Sequence, residues 1–129
     1  MKNSFFRLVE QSTEEIIFKK NLDYKSNNNS IDVEFFPNTS VNKLTENSAE
    51  VVLKFQIFTE EKFEEVPFFL SVTERGVFEW SEDHLDKIDD LLHTSAPAVL
   101  LSYVRSIISQ ATAFSGYPSL IVPLINFVE

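Results

Sequence analysis

The sequence has few of the residue types on which several classes of site depend. It contains no cysteine, which excludes disulfides, thiolate nucleophiles and cysteine-ligated metals. Its two glycines, Gly76 and Gly116, are too few for a glycine-rich phosphate loop. Basic residues are also scarce, since 11 Lys and Arg stand against 20 Asp and Glu. The net charge of −9 disfavours nucleic acid and anionic membranes as partners and favours a basic partner.

No set of residues resembles a catalytic or metal site. None of the serines lies in a nucleophile elbow. His84 and His93 flank an acidic segment but fall on different faces of the helix expected there. Paired carboxylates such as Glu14–Glu15 and Glu60–Glu61 recur along the chain and are typical of a solvated surface. We therefore expect a protein that is not an enzyme and that has no cofactor and no metal site.

Charge is almost absent near the C-terminal end. Arg105 is the one formal charge between Thr94 and Val128. Ser, Gly and Pro interrupt this stretch too often for a bilayer-spanning helix, so its apolar residues must be shielded from water by protein instead. The chain is expected to be a single domain, residues 1–129, whose interior is limited. We therefore expect another copy of the chain or a partner to bury these apolar residues. The start, MKNSFFRLVEQ, lacks the pattern of a signal peptide, which favours a cytoplasmic protein.

The first part of the chain has the period of β-strands. Alternating apolar residues predict a hairpin of Val51–Phe58 with Val66–Val72, joined by the polar link Glu60–Glu65. Phe6–Phe18 reads as one long strand with a bulge or as two short strands. A further strand begins at Ile31–Phe35, and Pro37 restricts it to a sheet edge or a strand end. The segment Asn21–Ser30 is the most loop-like of the chain.

The second part has helical spacing. Ser81 is the expected N-cap of a short helix, and Pro97 and Gly116 bound a longer one. The longer helix is apolar on two flanks, and its polar stripe consists of small hydroxyls beside Arg105, so we expect it to be covered on nearly all sides. Arg105 itself requires a carboxylate or carbonyl partner, because an unpaired buried charge is costly. Ser119–Phe127 is expected to form an extended strap.

Aromatic residues are abundant, with 13 phenylalanines. Several are adjacent, as in Phe35–Phe36 and Phe68–Phe69. Neighbours on a strand point to opposite faces, so each pair places a ring on both sides of a sheet. The rings outside the core have three uses that remain open: a subunit interface, packing under a loop, or a groove for apolar peptide segments.

The C-terminal stretch resembles the signature region of the SecB protein-export chaperones. The matching runs are Ala96-Pro97, Leu100-Leu101-Ser102-Tyr103-Val104-Arg105, Gly116-Tyr117-Pro118-Ser119-Leu120 and Pro123-Leu124-Ile125-Asn126-Phe127. The family reads approximately Cys/Asn-Pro, Leu-Phe-Pro-Tyr-Ala-Arg, Gly-Phe-Pro and Pro-Val-Asn-Phe at these places. Upstream, Arg75-Gly76-Val77-Phe78 resembles the family's Gly-Gly-Ile-Phe, and Glu50–Phe58 its third strand.

This resemblance implies an α+β fold, in which a long and a short helix pack on one face of a four-stranded antiparallel sheet. It implies a homotetramer, assembled as a dimer of dimers, with the long helix between subunits. The expected interface residues are Val99, Leu100, Tyr103, Val104, Ile107 and Ile108. The implied function is an ATP-independent holdase that binds unfolded precursor proteins and supports protein export. The candidate peptide-binding residues are Leu22, Tyr24, Phe35, Phe36, Phe69 and Phe114.

The sequence differs from the family pattern in three ways, which indicate a divergent, C-terminally short member. The family continues past Asn-Phe with a groove helix and a polar tail, whereas the sequence stops at Glu129. Of the acidic patch expected to bind a SecA-like motor, Glu15 is present, but Lys19 and Ser71 replace acids. The proline of Leu-Phe-Pro-Tyr is Ser102. Two alternatives therefore stay open: a dedicated chaperone for one aggregation-prone partner such as an antitoxin, and a purely structural homo-oligomer.

Overall fold

Four antiparallel strands form one sheet, and two helices pack on one of its faces. The computed structural model describes residues 6–25, 32–81, 86–118, 120–123 and 127. Its elements are β1 (Phe6–Lys20), β2 (Phe35–Thr45), β3 (Ser48–Ile57), β4 (Phe68–Trp80), α1 (Ile88–His93) and α2 (Ser95–Phe114). The strand order is β1-β4-β3-β2. The expected α+β architecture is confirmed.

β1 is one long strand, which decides between the two readings of its sequence. It pairs with β4 along its whole length, from Phe6 opposite Trp80 to Lys20 opposite Phe68. Two register shifts, at Leu8/Glu10 and Thr13/Glu15, fall in and beside the polar middle of the strand. Bulges absorb extra residues in an edge strand without ending the pairing.

β2 forms the other edge of the sheet and is longer than the sequence suggested. It begins at Phe35 and continues through Pro37 to Thr45. Pro37 lies opposite Phe55 and is tolerated because an edge strand has neighbours on one side alone. Ile31, where the sequence placed the start of this strand, lies outside the described residues. The expected hairpin of β3 with β4 is confirmed, and its link forms a 3-10 turn at Glu60–Glu65.

The hydrophobic core lies between the sheet and the helices. Alternate residues of β3 face the helices and are fully buried: Ala49, Val51, Leu53, Phe55 and Ile57. From α2, the residues Leu100, Val104 and Ile108 are also 0% exposed. Their spacing of four places one flank of the helix against β3 and β4. This flank fixes the position of α2 on the sheet.

The helices begin and end close to the expected signals. α2 runs between Pro97, in its first turn, and Gly116, whose φ of 93° is typical of a residue following a helix. α1 begins at Ile88, later than the expected cap at Ser81, and Leu85 lies outside the described residues. By length and mean hydropathy (1.2), Ile88–Phe114 is apolar enough to cross a membrane, a test that core helices also pass.

Candidate peptide-binding surface

An aromatic cluster closes the core where β1 ends and β4 begins. The ring of Phe68 lies 5.5 Å from that of Phe18, 5.4 Å from that of Phe58 and 5.7 Å from that of Tyr117, measured between centroids. Contacts at these distances add to the stabilisation from burial. The cluster joins the strands to the segment that follows α2, and it gives this end of the molecule a rigid apolar base.

Asn21 anchors the loop that follows β1. Its side-chain Nδ2 donates to the carbonyl oxygens of Phe63 at 2.9 Å and Val66 at 3.0 Å, and its backbone N–H donates to Pro67 O at 2.9 Å. Asn21 is 8% exposed. Because these bonds fix the start of the loop, the next residue, Leu22, is held outside the core with 85% of its surface exposed.

Lys20 and Tyr117 connect the end of α2 to the same region. Lys20 Nζ donates to Ser115 O at 2.8 Å and lies 5.1 Å from the centroid of the Tyr117 ring. The Tyr117 hydroxyl donates to Pro67 O at 3.2 Å. Partial burial raises the pKa of Tyr117 above its ordinary value, and nearby Tyr24 adds to the effect.

Three of the six candidate peptide-binding residues lie at this end in the loop after β1 and at the end of α2. Leu22 and Phe114 are 85% and 86% exposed, and Tyr24 is partly exposed. We call these three residues the end patch. It lies beside the aromatic cluster, and large apolar side chains exposed together are typical of an interaction site.

The other three candidates lie on β2 and β4 at the same end of the sheet. Phe35 faces the core and contacts the ring of Phe55 at 5.8 Å. Phe36, 39% exposed, lies on the opposite face of the sheet. Phe69 is fully buried on that outer face beside Lys19, so it is not available to a peptide. The assignment of Phe69 as a peptide-binding residue is thus corrected. The pleat of the sheet sends the neighbouring rings of Phe35 and Phe36 to opposite sides.

The residues expected between subunits also divide into two sets. Leu100, Val104 and Ile108 pack against the chain's own sheet, which corrects their assignment to the subunit interface. Val99 and Tyr103 are 40% and 37% exposed, and Ile107 is half-buried on the same flank. We call Val99, Tyr103 and Ile107 the exposed flank of α2. The sequence identified both flanks as apolar but did not indicate which one meets the sheet.

Arg105 has the carbonyl partner that its sequence context required. Its Nε donates to Val122 O at 2.8 Å, and Val122 is fully buried. Two residues earlier, the backbone N–H of Leu120 donates to Thr112 Oγ1 at 2.8 Å. Both bonds hold the non-helical segment Leu120–Pro123 against α2, in agreement with the expected strap. Ser119 and Asn126, also assigned to this strap, lie outside the described residues.

The outer face of the sheet carries charges that are paired with one another. Arg75 Nε donates to Glu50 Oε2 at 2.5 Å, and its guanidinium lies 3.7 Å from Glu10. The hydrogen bond to Glu50 raises the pKa of Arg75 above its ordinary value. Glu15, the candidate motor-binding residue, is exposed on this face opposite Thr73.

One buried acid was not foreseen. Glu74 is 0% exposed and accepts hydrogen bonds from Gln11 and from Thr13 Oγ1, the latter at 2.7 Å. It lies on the helix-facing side of β4 in an otherwise apolar row, where burial of a carboxylate requires such partners. Among the described residues no group of three His, Cys, Asp or Glu is placed to hold a metal. His93 Nδ1 lies 2.8 Å from the carbonyl oxygen of Asp89, and His84 is outside the described part of the chain.

Known proteins share both the fold and the sequence pattern. A SecB-like chaperone of Mycobacterium tuberculosis, solved in complex with a ChAD peptide from the HigA1 antitoxin, superposes with a TM-score of 0.70. The match covers 96% of this chain and 93% of that one at 12% identity, and it shows the shared fold. In sequence, the protein-export protein SecB of Stenotrophomonas maltophilia is 36% identical over 90 residues, which are 70% of this chain and 52% of that protein.

An uncharacterised protein of Methanocaldococcus jannaschii is 34% identical over 85 residues, which are 66% of this chain and 55% of that protein. The chain thus spans about half the length of the curated relatives that it matches. The family described as preprotein translocase subunit SecB matches residues 9–129. This match extends from β1 through the segment that Arg105 holds, and the chain belongs to the SecB family.

Proposed function

We propose that the chain is an ATP-independent holdase that binds unfolded or precursor polypeptides in the cytoplasm and supports protein export. Membership of a chaperone family supports this proposal and favours binding over catalysis. The observation that carries it is the end patch, where Leu22 and Phe114 are 85% and 86% exposed beside a rigid aromatic base. Side chains of this kind bind apolar segments of an unfolded chain because both partners lose apolar surface to water.

The end patch is tested by removing its apolar side chains. Leu22→Ser combined with Phe114→Ser is expected to weaken the suppression of aggregation of a reduced, unfolded substrate protein by at least about tenfold, the equivalent of ~1.4 kcal/mol. Both side chains are exposed, so the fold and its unfolding midpoint are expected to remain. Leu44→Ser is the matched control, since Leu44 is 47% exposed near the far end of β2. Equal activity of the double variant and the control would contradict the assignment.

We further propose that the exposed flank of α2 joins subunits into a dimer of dimers. Val99 borders a cavity of about 330 Å³ together with Phe6, Leu8 and Leu91, so the flank continues onto the inner side of β1. Tyr103→Asp places a charge in this surface without disturbing the core, and the mass in light scattering is expected to fall. Ile108→Asp is unsuitable because Ile108 is buried in the chain's own core. A Tyr103→Asp variant that keeps the original mass would exclude this interface.

A dedicated chaperone for one aggregation-prone partner is the second candidate function. The M. tuberculosis protein with the same fold was solved with a peptide from an antitoxin, which favours this class. Lys19 and Ser71 also replace acids in the patch expected to bind a SecA-like motor, where Glu15 remains. Binding of many unrelated unfolded proteins supports the export holdase, and co-purification of one polypeptide supports the dedicated chaperone. A stable oligomer that binds neither supports the purely structural homo-oligomer.

A further inference from the structure

We propose that the side of α2 that carries Arg105 and Thr112 is a second polypeptide-binding site, in which the chain's own strap competes with extended apolar segments of a client. The strap is taken here as its described part, Leu120–Pro123, which follows α2 and runs back along it. The proposal rests on the proposed holdase function, since it names a further site for the same class of client. The site admits a client when the strap leaves it.

The strap lies against α2 as an extended peptide would. Its exposure alternates along the chain: Leu120 is half-buried, Ile121 is 74% exposed, Val122 is 0% exposed and Pro123 is exposed. Side chains that point inward and outward in turn are typical of an extended chain. The one side chain of the strap that is completely enclosed is therefore an apolar one of modest size.

Two side chains of α2 bind the backbone of the strap. Arg105 Nε donates to Val122 O at 2.8 Å, and the backbone N–H of Leu120 donates to Thr112 Oγ1 at 2.8 Å. Any residue supplies the carbonyl group, and any residue except proline supplies the N–H. These bonds hold an extended segment without selecting its sequence, while the enclosed side chain selects an apolar residue, as in other modes of peptide recognition.

The helix itself holds both binding groups in position. The Thr112 hydroxyl donates to Ile108 O at 2.9 Å, so its oxygen remains as an acceptor for the strap. Arg105 and Thr112 are seven positions apart on the same side of α2. This spacing is about 10 Å along the helix axis, which equals the reach of about three residues of extended chain. The site therefore does not depend on the strap for its shape.

The site is separate from the exposed flank of α2. Arg105 and Tyr103 differ by two positions, so they lie about 200° apart around the helix. The row that faces the sheet, with Val104 and Ile108, lies between them. Phe114 of the end patch falls on the side of Tyr103, at about 20° from it. A client can thus occupy the strap site without displacing a subunit from the exposed flank.

The strap is an intramolecular competitor, and its occupancy sets the affinity for a client. A tethered segment has an effective concentration of about mM. A client in solution therefore binds with an apparent affinity reduced to the fraction of chains whose site is open. Weakening the strap without changing the site is expected to strengthen client binding. The loss of an ordinary binding residue has the opposite effect, so the direction of the change is diagnostic.

The probe is a fluorescein-labelled peptide with the sequence of residues 116–129, titrated into the full chain and followed by anisotropy. Val122→Ser in the chain removes the enclosed side chain of the strap and leaves Arg105 and Thr112 in place. We expect this variant to bind the peptide about tenfold more tightly than the original chain does. Ile121→Ser is the matched control because Ile121 is 74% exposed, and it is expected to bind as the original chain does.

Two further measurements locate the binding. A peptide with Leu120→Pro lacks the N–H that Thr112 accepts, and we expect it to bind about fivefold more weakly to the Val122→Ser chain. Saturating unlabelled peptide, added to the isotope-labelled original chain, is expected to accelerate amide exchange at Leu120 of that chain by at least about tenfold, because the strap is displaced. Binding at the end patch alone leaves this exchange unchanged.

Urea unfolding first establishes that Val122→Ser is folded, and Val122→Ala takes its place if it is not. The proposal is overturned if the folded variant binds the peptide no more tightly than Ile121→Ser, if neither binds it below ~1 mM, or if saturating peptide leaves exchange at Leu120 unchanged. Failure of the holdase function is read separately, from the aggregation of a reduced, unfolded substrate protein. A chain that suppresses this aggregation while its strap stays in place retains the holdase function and lacks the second site.

Discussion

Gly76 of β4 lies against Leu100 of α2, and Gly76→Ala measures how tightly the helix and the sheet are packed. A Cβ atom at position 76 would lie 2.8 Å from Leu100 Cδ2, 3.0 Å from Leu8 Cδ1 and 3.1 Å from Phe78 Cε1. Carbon atoms in contact are ordinarily about 3.5–4.0 Å apart. Leu100 and Phe78 are 0% and 1% exposed, so neither can turn into solvent to make room.

The expected loss follows from two opposing effects. Inserting a methyl group into a filled core destabilises by about 1–3 kcal/mol. Replacing glycine by alanine restricts the unfolded chain and returns about 0.4–1 kcal/mol. The difference between the two effects is about 0–2.6 kcal/mol, and because the buried Leu100 and Phe78 cannot move aside we expect the free energy of unfolding to fall by about 1–2 kcal/mol. The melting temperature is expected to fall by roughly 3–8 °C for a domain of this size.

Urea unfolding followed by Trp80 fluorescence measures this loss, at one fixed protein concentration because assembly also contributes to stability. Gly116→Ala is the control for crowding: the nearest atom to its added Cβ is Lys20 Nζ at 3.8 Å, so its effect comes from the φ of +93°. Leu100→Val removes the δ-methyl groups and is expected to recover about 1 kcal/mol in the double variant with Gly76→Ala. A Gly76→Ala chain as stable as the original would refute the close packing of α2.

Two further predictions concern the end of α2. Arg105→Met removes the bond to Val122 O. Because hydrogen bonds to a charged group contribute about 1.5–3 kcal/mol, we expect a loss of that size together with faster amide exchange at Leu120. Unchanged exchange at Leu120 would show that other contacts hold the strap. Burial, and then Tyr24, raises the pKa of the Tyr117 hydroxyl. This hydroxyl is neutral when it is protonated. Its stabilising contribution is complete below the unfolded pKa near 10 and is lost as pH rises through the folded pKa. Tyr117→Phe should therefore lower the pH dependence of the free energy of unfolding above pH 10, as measured by urea unfolding from pH 9 to 11, and an identical slope in both chains would contradict it.

The architecture was largely predictable because it follows from local periodicity. Alternation in Val51–Phe58 and Val66–Val72 predicted the central hairpin, and Pro97 and Gly116 predicted the limits of α2 within two residues. Strand Phe35–Thr45 was underestimated, since its second half, Asn38–Thr45, is polar and pairs as an edge. An edge strand exposed to water has no strong hydrophobic alternation by which to recognise it.

The candidate site was predictable only in part. Leu22, Tyr24 and Phe114 lie at the same end of the molecule because Asn21 and Lys20 bind carbonyl groups far away in the sequence, and no spacing rule indicates such bonds. Phe69 had the same sequence signal as Phe36, yet one is buried and the other exposed.

The sequence by itself determined the family, the two-part α+β order, the apolar character of both flanks of α2 and the need of Arg105 for a carboxylate or carbonyl partner. These properties depend on residue type and on short-range spacing. The tertiary structure decided which flank of α2 faces the sheet, which phenylalanines remain exposed, and that Glu74 is buried under Gln11 and Thr13. Those outcomes depend on pairing between distant segments, because burial is a property of the neighbours that the fold brings together.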